Sequence, residues 1–69
     1  MKKTLPLAAI ERLIKNAGAN RVADGAKVRM REVLEEIGAE ISKQAISFAK
    51  HAGRTTVKAE DVKLAAKQL

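Results

Sequence analysis

HAGRTTVKAEDVKL, residues 51–64, closes one helix, makes a short basic turn and opens another. Ala52-Gly53 is a helix stop, because glycine tolerates the left-handed conformation that ends helices. Arg54-Thr55-Thr56-Val57-Lys58 then joins positive charge, hydroxyls and a β-branched residue. Glu60 and Asp61 fall in the first turn of the next helix, where the positive end of the helix dipole favours acids. A cationic turn held between two well-signalled helix ends offers a seat to something anionic.

Upstream of this segment the pattern is helical as well. Ala26, Met30, Val33, Leu34, Ile37, Ile41, Ala45, Phe48, Ala49 and Ala52 keep a spacing of three or four. The spacing predicts one long helix from about Gly25 to Ala52, roughly 42 Å in length, with Asp24 as its N-cap. Gly38 lies near the middle of that helix, at a cost of about 1 kcal/mol relative to alanine. Close approach of a crossing helix and simple tolerance both account for it. Before Asp24, Leu7, Ile10, Leu13, Ile14 and Ala17 define a first short helix that ends at Gly18. Pro6 suits its first position, and Thr4 is a candidate cap. Downstream, Val62, Ala65, Ala66 and Leu69 place a third helix from about Ala59 to Leu69. The fold class is all-α, in one domain preceded by a short basic extension, residues 1–4.

Composition limits what such a chain can do. It has 69 residues, 14 Lys and Arg against 8 acids, a net charge of +6 and no cysteine. The pI near 10.1 points to a polyanionic partner. With one histidine and no cysteine, no metal site is expected. The single histidine has no nucleophile neighbour and no phosphate-cradling glycine motif occurs, so neither catalysis, cofactor nor small-molecule substrate is expected. No apolar run approaches the roughly 18 residues that span a bilayer. Met1-Lys2-Lys3 has no apolar stretch behind it to make a signal peptide. The expected address is therefore the cytoplasm. Phe48 is the only aromatic residue, whereas binders of single strands stack bases on several rings. A duplex gripped by its phosphates fits better. No helix carries the Asn, Gln and Arg cluster of a major-groove reader.

A chain this short buries only about 60% of its unfolded surface. Two short helices cannot cover a stripe of some 42 Å. Met30, Val33, Ile37, Ile41 and Phe48 would stay partly wet, each forfeiting roughly 1.5–3 kcal/mol. A second copy crossing the long helix would bury them, so an obligate dimer is expected. A faint repeat agrees: Ala17-Gly18-Ala19-Asn20-Arg21-Val22 matches Ala52-Gly53-Arg54-Thr55-Thr56-Val57. In an antiparallel pair, Arg21 of one chain would lie near Thr56 of the other, and the valine segments could form a short bridge.

These residues resemble the archaeal histones. The resemblance runs from Leu5-Pro6 to Leu69 and is strongest in HAGRTTVKAEDVKLA (51–65), supported by ERLIKNAGANRV (11–22) and LEEIG (34–38). It implies the histone fold, paired head-to-tail in a handshake homodimer. It also implies wrapping of double-stranded DNA by dimers that polymerise, in chromatin on the chromosome, with other histones as further pairing partners. By resemblance, Arg12 on the first helix and Arg21 in the first loop meet DNA, with Thr56 of the partner chain beside Arg21. Thr55 stands where many relatives carry lysine. Lys15, Lys27 and Lys58 are further phosphate candidates. The resemblance makes Arg54 and Asp61 an internal salt bridge. It places Phe48, His51, Asp61 and Leu64 in a contact between dimers. Glu32, Glu35 and Glu36 on the long helix and Lys63 and Lys67 on the third are complementary patches that would pair between stacked turns, or are simply solvated faces. Two other functions compete: a histone-fold heterodimer member of a transcription complex, and a basic amphipathic peptide on a membrane surface. Basic charge at both loops weighs against the first. Capped helices weigh against the second.

Overall fold

A computed structural model describes residues 5–68. The expected N-terminal extension, the Thr4 cap and Leu69 lie outside those residues. The element order is α1 (Leu7–Asn16), α2 (Asp24–His51) and α3 (Ala59–Ala66), with no strand among the described residues. The long helix falls within a residue of its expected span. Asp24 lies inside its first turn rather than capping it. The helix is closed at this end by the Ala23 carbonyl, which accepts from the Ala26 and Lys27 amides. Pro6 likewise sits one place earlier than expected. It is the extended residue before α1 (φ −64°, ψ 135°), and its carbonyl accepts from the amides of Ala9 and Ile10. Its ring fixes a φ that suits either position. The third helix stops at Ala66, short of the expected end, and Lys67 caps it in a helical conformation.

The chain divides into two compact units, Met1–Glu36 and Ile37–Leu69. In the first, Ile10 is the buried apolar residue, and two polar ties hold the segments together. The Lys27 ammonium donates to Glu11 Oε1 at 3.1 Å, joining α2 to α1. The Leu5 amide donates to Glu35 Oε2 at 3.1 Å, fastening the entry to α1 onto α2. The second unit has a core of alanines: Ala45 and Ala49 of α2 and Ala65 of α3. Alanines cost no side-chain entropy to bury, but they remove little apolar area from water. Met30 and Ile37 remain 36% and 40% exposed, while Val33, Ile41 and Phe48 are half-buried. A Cβ on Gly38 would meet nothing within 4 Å, so no neighbour inside the chain requires glycine there.

The turn after α2 is set by backbone bonds. The Gly53 amide donates to the Lys50 carbonyl and the Arg54 amide to the Ala49 carbonyl, both at 2.9 Å. These are the paired bonds of a Schellman closure. It requires a left-handed residue, and Gly53 supplies it with φ +75°. Gly18 plays the matching part after α1 at φ +122°.

Candidate nucleic-acid interface

The second unit presents the turn from Arg54 to Lys58. Its geometry depends on one buried carboxylate. Asp61 is 2% exposed. Its Oδ2 accepts from Arg54 Nη1 at 2.9 Å and from the Lys58 backbone amide at 2.8 Å. Its Oδ1 accepts from Arg54 Nη2 at 3.1 Å. The bond from Lys58 is half of a capping box; a lysine side chain has no lone pair with which to return it. Arg54 Nη1 also donates to the Thr56 carbonyl at 3.0 Å, and Nη2 reaches Glu60 at 3.5 Å. Arg54 thus ties the turn to the start of α3. The guanidinium first, and the Lys58 amide second, hold the Asp61 carboxyl down at about 2. The same pairing raises Arg54 above its ordinary value. With Arg54 committed inward, Thr55, Thr56 and the Lys58 side chain remain exposed.

Beside this turn a groove of about 380 Å³ is lined by Ile46, Ala49, Lys50, Arg54, Thr55 and Val57. Val57, 42% exposed, is one of its uncovered apolar walls. Phe48 is half-buried and His51 exposed; Leu64 is 48% exposed. His51 Nδ1 lies 3.0 Å from the Ser47 carbonyl. A carbonyl only accepts, so Nδ1 carries the proton, and in the neutral ring Nε2 keeps its lone pair.

The cations of the first unit differ in how far they are paired. Arg12 and Arg21 are exposed, and neither has a hydrogen-bond or ion-pair partner among the described residues. Lys15, 46% exposed along its side chain, pairs with Glu11 at 3.0 Å one helical turn away. Lys27 is different again. Its side chain is 17% exposed and its ammonium lies between Glu11 (3.1 Å) and Asp24 (3.3 Å). Glu11 first, then Asp24, raises Lys27 above its usual value, while Lys15 and Lys27 together lower Glu11. The resemblance offered Lys27 as a phosphate contact and gave Glu11 no part. The Glu11–Lys15 half of the cluster was visible in the i,i+4 spacing.

On the acidic side, Glu32 pairs with Arg29 at 3.2 Å within α2, and Glu35 is occupied by the Leu5 amide. No group of three or more metal-ligating side chains forms among the described residues. No helix among them is long and apolar enough to cross a membrane.

A short helix, a long helix and a short helix, joined by glycine-closed turns that carry Arg21 and the exposed Thr55 and Thr56, define a histone fold. The chain belongs to the family of histone-like transcription factors (CBF/NF-Y) and archaeal histones, whose family model matches residues 3–66. It is 57% identical over 63 residues to one of the component chains of archaeal histone HAN1 from Thermococcus zilligii, covering 91% of this chain and 94% of that protein. It is 51% identical over 61 residues to a probable archaeal histone 3 of Methanocaldococcus jannaschii, covering 88% of this chain and 91% of that one. Histone-fold proteins of this kind are structural DNA-binding proteins of chromatin, not enzymes, and their chains dimerise.

Proposed function

We propose that the chain packages double-stranded DNA as a handshake homodimer, wrapping the duplex largely without reading its sequence and extending side by side along it. The observation that carries this reading is the sorting of cations. Lys27, Arg29 and Arg54 are satisfied by carboxylates. Arg12 and Arg21 are left exposed, one on α1 and one in the loop before α2. Free arginines suit phosphates and a narrow minor groove. Thr55, Thr56 and Lys58 add hydroxyls and a cation at the second loop, and Lys15 lends a partly screened charge at the first helix. Lys27 belongs to the brace between α1 and α2. The groove at Ile46, Ala49 and Val57 receives the Val22 segment of the second copy, which brings Arg21 beside Thr56.

Contact between dimers falls to Phe48, His51 and Leu64. Asp61 serves it by fixing the start of α3. Its two oxygens already accept three bonds in a buried position, so it offers little to a neighbour. Counterion release supplies most of the affinity, and the place of action is the chromosome in the cytoplasm.

Nuclease digestion of random-sequence duplex saturated with the protein tests the proposal. Regularly spaced protected fragments support dimers that extend along DNA. A single fixed fragment would mean a closed particle, and no protection would favour a heterodimeric partner in a transcription complex. In parallel, Arg21→Ala should weaken binding to all duplex sequences alike and flatten the salt dependence. A loss confined to one sequence would refute the packaging reading.

A further inference from the structure

Glu11 is the single acid of α1. Its carboxylate holds two ammonium groups, Lys15 at 3.0 Å and Lys27 at 3.1 Å. The two pairs differ in what they do. Lys27 lies on α2 with its side chain 17% exposed, so that bond ties two helices together. Lys15 lies on α1 itself, one turn further on, with 46% of its side chain exposed. A pair at that spacing adds only about 0.2–0.5 kcal/mol to a helix. Lys27 has Asp24 as a second partner at 3.3 Å, whereas Lys15 has no second partner among the described residues. Two lysines and two acids leave the cluster without net charge. Arg12, three residues before Lys15 and so on the same side of α1, is exposed. That face therefore presents two cations, one of them already occupied.

We infer that Glu11 is a built-in counter-charge that withholds Lys15 from DNA phosphates and so limits the grip of α1 on the duplex. The inference rests on the proposed packaging of DNA. A carboxylate oxygen occupies Lys15 as a phosphate oxygen would, since both are anionic acceptors of a charge-assisted bond. A phosphate must displace it, and the displaced carboxylate then turns its own negative charge on the backbone. A lysine neutralised in advance also delivers little net charge to the duplex, so it releases few counterions. Lys15 first and Lys27 second hold the Glu11 carboxyl below its ordinary value, so the screen stays charged near neutral pH. Arg21, in the loop, has no such acid among the described residues. The duplex is thereby held tightly at the loops and loosely at the first helices. Wrapped DNA can lift from α1 while the loop contacts persist.

Full-length wild type, Glu11→Gln, Lys15→Gln, the double variant and Arg21→Ala are compared by binding to random-sequence duplex across a salt series, at a temperature where circular dichroism shows each folded. Glu11→Gln keeps the shape of the side chain and an oxygen for Lys27 but removes the charge. It should steepen the slope of log affinity on log salt by about 0.9 per chain, which is about eightfold in affinity for a tenfold change in salt. Lys15→Gln alone should flatten the slope by less than about 0.4 per chain, because its charge is already neutralised. Adding Glu11→Gln to Lys15→Gln should produce no steepening. A Glu11→Gln slope equal to wild type overturns the inference, as does a steepening that survives in the double variant. A purely structural Glu11 would lower the thermal midpoint and leave the slope alone. If Arg21→Ala flattens the slope while Glu11→Gln does not steepen it, the packaging reading stands and the screen falls. If Arg21→Ala leaves the slope unchanged, the packaging reading itself falls. Should Glu11→Gln fail to fold, Lys15→Gln decides alone: loss of a full contact, about 0.9 per chain, refutes the screen.

Discussion

Replacing Gly53 by alanine isolates the backbone term in the turn that presents Thr55 and Thr56. A Cβ at Gly53 would meet nothing within 4 Å, so no clash contributes. What remains is φ +75°, a left-handed conformation that costs an L-residue about 1–2 kcal/mol. Alanine also stiffens the unfolded chain, which returns about 0.4–1 kcal/mol. The net loss is about 1 kcal/mol per chain. For a domain of this size it lowers the thermal midpoint by about 4–8 °C. Far-UV circular dichroism melts at one fixed protein concentration measure it, since the midpoint of a dimer depends on concentration. Gly53→Asn should recover part of the loss, because asparagine enters the left-handed region more readily. Gly25→Ala is the control. It also meets nothing within 4 Å, but it lies in the first turn of α2 and should not lower the midpoint. A midpoint for Gly53→Ala equal to or above wild type would refute the reasoning. So would an equal fall for Gly53→Ala and Gly25→Ala.

Three further outcomes are expected. Lys27→Gln should lower the thermal midpoint while leaving the salt dependence of DNA binding unchanged; a slope reduced by about 0.9 per chain would instead place Lys27 on a phosphate. Thr55→Lys should steepen that slope by about 0.9 per chain, and an unchanged slope would remove the second loop from the interface. Asp61 is held at about 2, against an ordinary 3.8, by Arg54 and the Lys58 amide. Its contribution to stability is therefore complete above the ordinary value and lost as pH falls through about 2. Acid titration of Asp61→Asn, followed by circular dichroism, should show a shallower decline across that window than wild type. An identical decline would mean the carboxylate is not responsible.

The helices were legible because their signals are local. Gly18 and Gly53 mark turns that a side chain enters only under strain, and the three–four spacing of apolar residues from Ala26 to Ala52 admits no strand. Pro6 and Asp24 shifted by one place because each suits two neighbouring positions: proline's fixed φ serves before or inside a helix, and an acid helps a dipole from the cap or from the first turn. The bond between Glu11 and Lys27 was out of reach. It joins residues sixteen apart, on different helices, and no periodicity encodes which lysine a glutamate will choose.

The alanine core has a consequence for how the protein is made and kept. Ala45, Ala49 and Ala65 are the buried apolar residues of the second unit but supply little driving force, while Leu13, Ile46, Val62 and Leu64 stay 44–53% exposed. On the proposed pairing, a newly synthesised chain gains most of its protection from degradation when it meets another, and its folded fraction rises with protein concentration. Supply of assembled protein then rises more steeply than expression itself.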